Sequence, residues 1–268
     1  MRDRDSLREL IEPGCTVVNL AYLQGAGEAE NLDACASLLA ACRAANVRRL
    51  IHCSTASVVG RTPDSAITED TPCRPVTEYG ITKLEVERAI LEGAYGHFEA
   101  AILRPTAVFG AGGENLKKLV RDLTIGNRLR NYLKSCLFGN RRMNLVYVAN
   151  VVAAILFLVN YKGELVGEVF NISDADSPLN NFADVEHILM RELNIPAYRC
   201  ARIPVPQGVL AFLLGLLGRD NINPRCDYSQ EKLFGLGFVR PVSFEAGLAE
   251  YASWYRSSQT DRTGLGRV

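Results

Sequence analysis

Three stretches near the start of the chain decide its fold class: TVVNLA (residues 16–21), NLDACASLLAACRAAN (31–46) and RLIHCS (49–54). The first and the third are short apolar runs bounded by polar residues, which is typical of buried strands. The middle stretch has helical spacing, and its apolar residues fall on one stripe: Leu32, Cys35, Leu38, Leu39 and Cys42. A strand, a helix and a second strand in this order are the unit of a parallel sheet, so the sequence predicts an α/β fold.

The alternation of strands and helices continues along the chain, with less regular spacing in the second half. Further predicted helices cover residues 78–92, 116–123, 150–161, 182–193 and 207–218. Further predicted strands cover residues 99–103, 144–148 and 168–172, and Arg104-Pro105 is expected to end the first of these. The tail, residues 227–255, predicts two amphipathic helices. Two lobes that share one cleft are the simplest architecture for this order.

The bulk composition excludes several classes of function. The chain carries 30 basic and 30 acidic residues, so no bulk electrostatic attraction favours nucleic acid or an anionic membrane. An anionic substrate would have to be held by local groups. None of the eight cysteines forms a C-x-x-C pair and the three histidines are scattered, which argues against a metal site. Reduced thiols in a cytoplasmic protein are the favoured interpretation.

No segment of the sequence is typical of a signal peptide or a membrane-spanning helix. The N-terminus lacks the apolar core of a signal peptide. The longest apolar runs, residues 151–159 and 209–217, fall short of the ~20 residues that span a bilayer. Each run is expected to be a core helix, and contact of the 209–217 run with a membrane surface is the less favoured alternative.

The segment YGITK, residues 79–83, places the phenol of Tyr79 and the ammonium of Lys83 four residues apart on one face of a predicted helix. A tyrosine hydroxyl ordinarily has a pKa of about 10. A nearby cation stabilises the phenolate and lowers that pKa, which makes the phenol usable as a general acid or base at neutral pH. Alone, the spacing is a weak indication, because solvated helix faces often carry such a pair.

A hydroxyl-rich segment, CSTASVVG (residues 53–60), follows the second predicted strand. Ligands of open α/β sheets bind beyond the carboxyl ends of the strands, where such a hydroxyl can donate to a substrate oxygen. The segment resembles the S-S-x-x-V-Y-G block of the extended short-chain dehydrogenases/reductases, the NAD-dependent epimerase/dehydratase group. In that resemblance Thr55 takes the place of the family's catalytic serine or threonine, and Tyr79 follows at the customary interval.

Further blocks resemble the same family in the same order along the chain. They are VNLA (18–21), NLD (31–33), LRPTAVFG (103–110), NLVYV with NVV (144–152), and the closing stretch from EKL (231–233) to Trp254-Tyr255. The resemblance implies a Rossmann-like doubly wound parallel sheet that lacks its first βαβ units, with a smaller C-terminal substrate-binding lobe. Residues 1–110 would be a partial dinucleotide-binding domain, and residues 111–268 a substrate-binding lobe interleaved with the last Rossmann elements.

The resemblance also implies roles for individual residues. Tyr79 would exchange a proton with the reacting hydroxyl, Lys83 would lower the pKa of Tyr79, and Thr55 would orient the substrate oxygen. The implied contacts to NAD or NADP are Leu20, Ala21, Asn31, Tyr79, Lys83, Pro105 and Thr106. The implied contacts to the substrate are Thr55, Ala107, Arg141 and Arg142. Asn31 is expected to fix the local backbone or, as an equal alternative, to cap a helix; the two arginines could equally form a solvated basic turn.

The glycine-rich strand-to-helix turn that holds the cofactor pyrophosphate in this family is missing from the sequence. Gly25-Ala26-Gly27 follows the wrong strand and is expected in a substrate-side loop. Met1-Arg2-Asp3 resembles the interior of a later family segment, so about 60 residues, or two βα units, are expected ahead of it. Either the sequence starts at an internal methionine of a longer gene or the gene is truncated, and a trimmed, cofactor-free relative is a third alternative. Without those units the sheet is expected to expose an apolar, unpaired edge.

The substrate side also departs from the family pattern. Ala107 replaces an asparagine that many members have, Met143 stands where a diphosphate-binding arginine is common, and Asn150 replaces an aspartate. The favoured function is NAD(P)-dependent epimerisation, 4-keto reduction or dehydration of a nucleotide sugar. The alternatives are a hydroxysteroid- or flavonol-type reductase, and an inactive, cofactor-free remnant or binding module. The expected partner is a nucleotide sugar and not nucleic acid, and a homodimer is left open.

Overall fold

The computed structural model describes residues 4–60, 62–203, 205, 208 and 226–264. Its helices are α1 (Arg4–Leu10), α2 (Glu28–Ala44), α3 (Glu78–Ala94), α4 (Lys117–Ile125), α5 (Arg128–Phe138), α6 (Val148–Asn160), α7 (Phe182–Glu192), α8 (Glu231–Gly235) and α9 (Phe244–Gly264). Its strands are β1 (Thr16–Asn19), β2 (Arg49–Cys53), β3 (Ala66–Ile67), β4 (Glu99–Pro105), β5 (Ala107–Phe109), β6 (Leu145–Tyr147), β7 (Val166–Ile172) and β8 (Asp227–Tyr228). The helix predicted at 207–218 lies, except for Gly208, outside the described residues, as does the whole apolar run 209–217. None of the described helices is long and apolar enough to cross a membrane.

Four parallel strands form the central sheet in the order β1-β2-β4-β7. Leu50 of β2 pairs with Val17 of β1 on one side and with Ala100 of β4 on the other. Helix α2 connects β1 to β2, and α3 connects β2 to β4. Each crossover therefore brings a helix against the sheet, as parallel pairing requires. The predicted α/β fold with a Rossmann-like parallel sheet is confirmed.

Helices cover both faces of this sheet. On one face α1, α2 and α3 pack over Leu50 and Ile102. On the opposite face α6 and α8 pack over Ile51, Ala101 and Leu103. Because both faces are buried, β2 and β4 consist of buried residues along nearly their whole length, which explains the continuous apolar runs in the sequence.

The residues beyond β4 build a second core around the short parallel pair β5 and β6. Phe109 of β5 is its centre, with 1% of its surface exposed. The centroid of its ring lies 5.3 Å from that of Tyr147, 5.7 Å from that of Phe244 and 6.4 Å from that of Tyr251. These aromatic contacts tie α9, near the end of the chain, to β5 and β6.

Strand β4 continues through Pro105, whereas the sequence predicted its end at Leu103. Strand β2 ends at Cys53, opposite Leu103, so the proline nitrogen faces no β2 partner. On the other side Pro105 pairs with Ile172 of β7. The prediction was wrong because a proline beyond the end of the neighbouring strand removes no ladder hydrogen bond.

Strand β1 is an edge strand, because among the described residues it pairs only with β2. Val18 within it is 38% exposed, and Leu20, just past its end, is 63% exposed. The unpaired apolar edge that the sequence predicted is therefore present in this part of the chain.

Candidate active site

The carboxyl ends of β2 and β4 open into a cavity of about 1060 Å³. Seven of the residues that the sequence predicted for the site line this cavity: Thr55, Tyr79, Pro105, Thr106, Ala107, Arg141 and Arg142. Three others, Ala21, Asn31 and Lys83, line a separate and much smaller cavity between the end of β1, α2 and α3. Leu20 points largely into water. The structure thus brings all four predicted substrate contacts together in one cavity, and it divides the predicted cofactor contacts between the two cavities.

Tyr79 is positioned by the N-terminus of α3. The side-chain oxygen of Thr77, the N-cap, accepts a 3.1 Å hydrogen bond from the Gly80 amide. A Cβ atom on Gly80 would lie 3.0 Å from the Ser57 carbonyl oxygen, so glycine lets α3 approach the loop that carries Thr55. These contacts place Tyr79 on the wall of the large cavity.

The surroundings of Tyr79 favour its protonated form. Burial raises the pKa of its hydroxyl, the Cys53 thiol acts in the same direction, and a hydrogen bond with the Thr55 side chain opposes them. The rings of Tyr79 and Tyr22 meet edge to face, with centroids 5.0 Å apart. At neutral pH the phenol therefore retains its proton.

Lys83 follows one turn later on α3, with only 3% of its surface exposed. Its ammonium donates a 2.8 Å hydrogen bond to the Cys53 carbonyl oxygen and lies 5.7 Å from the centroid of the Tyr22 ring. Burial lowers the pKa of Lys83, and interactions with Cys53 and Glu87 offset part of that effect. The sequence predicted that Lys83 lowers the pKa of Tyr79. In the structure burial raises that pKa, and the ammonium donates to the Cys53 carbonyl, so the effect of Lys83 on Tyr79 stays a prediction.

Thr55 follows β2 and caps the short 3-10 turn Ala56–Val58. Its side-chain oxygen accepts a 3.2 Å hydrogen bond from the Ser57 amide, and its hydroxyl donates to Ser57 Oγ at 3.2 Å. The same side chain is hydrogen-bonded to Tyr79. The predicted pair of hydroxyls is thus brought into contact at the cavity wall.

Asn31 fixes a loop and does not cap α2. Its amide oxygen accepts a 3.0 Å hydrogen bond from the Leu23 amide, and its amide nitrogen donates to the Gly27 carbonyl at 3.0 Å. The N-cap of α2 is Gly27, whose amide donates to the Glu30 carboxylate at 3.1 Å. Of the two roles expected for Asn31, the geometry shows backbone fixation, and the capping role is wrong.

The two arginines of the cavity wall have different partners. Arg142 donates to the Asp227 carboxylate at 2.5 Å and also to the Ala175 carbonyl. Arg141 has no carboxylate partner among the described residues, and its buried Nε makes no hydrogen bond to them. Burial lowers the pKa of Arg141, and the Cys226 thiol opposes that shift. Of these two arginines, Arg141 is therefore the one whose positive charge is unpaired among the described residues.

The junction between β4 and β5 supplies Pro105, Thr106 and Ala107 to the cavity wall. The Thr106 hydroxyl donates to the Ile172 carbonyl at 3.4 Å and to Ser173 Oγ at 3.3 Å. Its side chain is therefore engaged with the end of β7.

Sequence reasoning missed two residues beside the site, Tyr22 and His52. The ring of Tyr22 contacts Tyr79 and lies near the Lys83 ammonium. His52 is fully buried in β2, and its Nδ1 accepts a 3.1 Å hydrogen bond from the Asn19 side chain. Burial and the Lys83 charge lower the pKa of His52 to about 3. Neither residue belongs to a motif; the one available signal was a histidine inside an otherwise apolar strand.

Comparisons with known proteins agree with this geometry. The model described as "NAD dependent epimerase/dehydratase family" matches residues 1–173. The dTDP-D-glucose 4,6-dehydratase of Mus musculus is 25% identical over 218 residues, which are 80% of this chain and 57% of the relative. The decarboxylating sterol-4-alpha-carboxylate 3-dehydrogenase of Mus musculus is 29% identical over 192 residues, 68% of this chain and 51% of that relative.

A solved structure, MoeE5 in complex with UDP-glucose and NAD, matches with a TM-score of 0.68 at 24% identity. The match covers 96% of this chain and 85% of that chain, and it shows the same fold. The chain spans about half the length of the curated relatives that it matches.

Proposed function

The chain belongs to the NAD-dependent epimerase/dehydratase family, and we propose that its site serves NAD(P)-dependent epimerisation, 4-keto reduction or dehydration of a nucleotide sugar. The observation that carries the proposal is the single cavity that Thr55, Tyr79 and Arg141 line together. A proton-exchanging hydroxyl and an unpaired cation in one cavity suit a sugar that carries a diphosphate. A dTDP-glucose dehydratase among the relatives and the UDP-glucose complex among the solved structures support the same substrate class.

Tyr79 exchanges the proton in this proposal. The phenol is protonated at neutral pH, so its O–H is available to a substrate oxygen that gains negative charge. Thr55 is hydrogen-bonded to Tyr79, so its hydroxyl is placed to orient the same oxygen. Both groups then act on one substrate atom, which is why their contact supports the assignment.

The described residues fit the nicotinamide end of a dinucleotide, which, when bound, supplies or accepts the hydride. The Lys83 ammonium donates one N–H to the Cys53 carbonyl, and its other N–H groups can donate to ribose hydroxyls. Ala21 and Asn31 lie beside Lys83 in the same small cavity. Tyr22 lies near that ammonium and against Tyr79, so its ring has to move before a ribose reaches Lys83.

The described residues do not fit the diphosphate of the same cofactor. The helix that follows Gly25-Ala26-Gly27 carries Glu28 and Glu30 in its first turn, and Glu30 already accepts a hydrogen bond from the Gly27 amide. Two carboxylates at a helix N-terminus repel a further anion. We therefore assign proton transfer and substrate binding to the described residues, and expect them to bind the whole dinucleotide weakly.

Arg141 is the proposed contact for the diphosphate of the substrate. Its guanidinium is unpaired at the cavity wall, whereas the Asp227 carboxylate engages Arg142. A guanidinium can donate two parallel hydrogen bonds to a phosphate. A bound phosphate would also give the Arg141 Nε the acceptor that it lacks among the described residues. Met143, the residue at the family's usual arginine position, lines the same cavity and leaves this task to Arg141.

A sterol-like substrate is the second candidate, because one curated relative is a sterol dehydrogenase. Such a substrate offers no diphosphate to an unpaired arginine. Three arginines, Arg74, Arg141 and Arg142, line the cavity, which suits the two negative charges of a diphosphate better than the single carboxylate of a sterol-4-alpha-carboxylate. A cofactor-free binding module is the third candidate, and it differs from the first in predicting ligand binding without turnover.

Isothermal titration calorimetry with UDP-glucose and dTDP-glucose tests the proposal on the chain itself. We expect binding to the wild-type chain and a loss of affinity of roughly 10- to 100-fold in Arg141→Met, since a charged hydrogen bond is removed. Lys162→Met, which removes an exposed charge outside the cavity, is the matched control and should bind as wild type. Binding of a sterol with no binding of either nucleotide sugar would favour the second candidate.

A further inference from the structure

Helix α5 buries two polar side chains and exposes two leucines. Asn131 and Ser135 are 5% and 0% exposed, while Leu129 and Leu133 are 65% and 56% exposed. The buried Asn131 amide donates to the Asp122 carbonyl of α4, so the polar side of α5 is fixed against its neighbour. A surface helix ordinarily has the opposite arrangement. Within the part of the chain that the structure describes, packing does not account for the outward leucines.

The exposed apolar series begins before α5. Ile125, the last residue of α4, is 75% exposed. It stands four residues ahead of Leu129, which in turn stands four residues ahead of Leu133. Together with the basic residues of α4 and α5, these three side chains define the α4–α5 face.

The α4–α5 face is strongly basic, although the whole chain has a net charge of zero. Between residues 117 and 134 the only carboxylate is Asp122, against six basic residues: Lys117, Lys118, Arg121, Arg128, Arg130 and Lys134. Asp122 pairs with Lys134 at 2.8 Å and with Arg130 at 3.5 Å. Arg128 donates to the carbonyls of Pro196 and Ala197 and lies 5.4 Å from the centroid of the Tyr198 ring, with no carboxylate partner among the described residues. In the part of the chain that the structure describes, Lys118 and Arg121 have no ion-pair partner within 4.0 Å.

We propose that the α4–α5 face binds the surface of an anionic phospholipid bilayer, with α5 lying in the plane of the interface. Aliphatic side chains flanked by lysine and arginine are the combination that such a surface takes up, because acyl chains bury the leucines and headgroup phosphates meet the cations. The helix stays at the surface, since no described helix can cross the membrane. This surface is separate from the cavity that carries the proposed function, so a test that contradicts one proposal leaves the other unaffected.

Other occupants fit the same face less well. A single-stranded nucleic acid would stack its bases on aromatic rings, and the exposed apolar residues here are aliphatic: Ile125, Leu129 and Leu133. A second copy of the chain would bring two strongly basic faces together, and like charges repel. The charge of the face and its exposed leucines together favour the bilayer.

Flotation with vesicles tests the proposal on the full chain. We expect binding to vesicles of phosphatidylcholine and phosphatidylserine in a roughly 2:1 ratio, weak binding to phosphatidylcholine alone, and release by high salt. Lys118→Glu/Arg121→Glu and Leu129→Ser/Leu133→Ser should each lower the bound fraction at least about fivefold, because each removes one of the two contributions.

Matched controls come from exposed residues elsewhere. Leu156 on α6 is 55% exposed, almost the same as Leu133, so Leu156→Ser should leave vesicle binding unchanged if the face is specific. Lys162→Glu reverses an exposed charge outside the face and should also bind as wild type. Circular dichroism verifies folding of each variant.

Three results would overturn the proposal. They are no flotation of the wild-type chain with anionic vesicles, equal flotation of the α4–α5 variants and the wild type, and binding to heparin or a DNA oligomer without binding to vesicles. The last result would assign the face to a different polyanion.

Discussion

Tyr79 and Lys83 lie one helical turn apart, yet they are exposed very differently: 41% of Tyr79 and 3% of Lys83 are accessible to solvent. Burial moves both groups toward their neutral forms, because it raises the pKa of the phenol and lowers the pKa of the ammonium. The pair as it stands in the structure therefore keeps the proton on Tyr79.

Replacement of the Tyr79 hydroxyl is the sharpest test of the proposed chemistry. In a chimera that places the two N-terminal βα units of a family relative, including its glycine-rich turn, ahead of Met1, Tyr79→Phe should lower turnover of a nucleotide sugar at least ~10²-fold while the fold survives. Lys83→Met should also lower turnover strongly, and Thr55→Val should lower it less than Tyr79→Phe does. Thr55→Ser should leave turnover nearly unchanged, because the hydroxyl is retained. Steady-state kinetics and circular dichroism measure these effects.

Tyr95→Phe is the control for that series, because Tyr95 follows the same helix, is 81% exposed and lies outside the cavity. It should keep wild-type turnover. A Tyr79→Phe protein that is as active as Tyr95→Phe would remove Tyr79 from the proposed reaction.

His52 should make the fold sensitive to acid. Its folded-state pKa of about 3 lies below the ordinary 6.5, so the unfolded chain binds the proton first as the pH falls from 6.5 toward 3, and stability is lost in that window. Between pH 7.5 and pH 5, this one histidine lowers the free energy of unfolding by about 2 kcal/mol.

Urea unfolding measures the free energy of unfolding at these two pH values. The difference between them should be about 2 kcal/mol smaller in His52→Leu than in the wild type. His97→Leu, at an exposed histidine, should keep the wild-type profile, and identical profiles for all three proteins would contradict the prediction.

At the scale of the element, the strands of the central sheet and the helices between them were predicted from the sequence. Strands that are buried on both faces have continuous apolar sequences, which makes them easy to recognise. Helix α5 was missed because its leucines point outward, which hides the usual amphipathic pattern.

The spacing of Tyr79 and Lys83 located the site, since both lie on one helix. The positions of Tyr22 and His52 depend on strand pairing and loop geometry, which local patterns do not encode. The division at residue 110 stays a prediction.

The packing of α3 on β4 depends on a buried ion pair. Glu87 accepts hydrogen bonds from Arg104 at 2.6 and 3.1 Å, and the two side chains are 2% and 7% exposed. Glu87→Gln would leave the guanidinium buried without its countercharge, so we expect a loss of about 3–5 kcal/mol in the free energy of unfolding. Urea unfolding measures it.

The same helix supplies the control for that experiment. Glu85 pairs with Arg88 at 2.7 Å on the surface, where both side chains are at least 36% exposed. Glu85→Gln should change the free energy of unfolding by less than about 1 kcal/mol. Equal losses in the two variants would mean that the buried pair adds nothing beyond an ordinary surface contact.

At the scale of the whole molecule, the residues predicted to bind the substrate line one cavity, and the diphosphate end of the cofactor has no counterpart among the described residues. We therefore predict that calorimetry detects no NAD or NADP binding to this chain at millimolar cofactor, while UDP-glucose still binds. The nucleotide sugar serves as the internal control, because its binding shows that the chain is folded. Tight, stoichiometric binding of either dinucleotide would show that the carboxylates of α2 do not exclude a diphosphate.

The strand order β1-β2-β4-β7 has a consequence for how the chain folds as it leaves the ribosome. Strand β4 is complete at Pro105, but its partner on one side, β7, ends only at Ile172, so more than 60 residues must be synthesised before that pairing closes. At roughly 5–20 residues per second, the edge of β4 stays unpaired on that side for about 3–12 s. Nascent chains stalled in this interval should be the form that chaperones of newly made proteins recognise, and β4 the strand to which they are crosslinked.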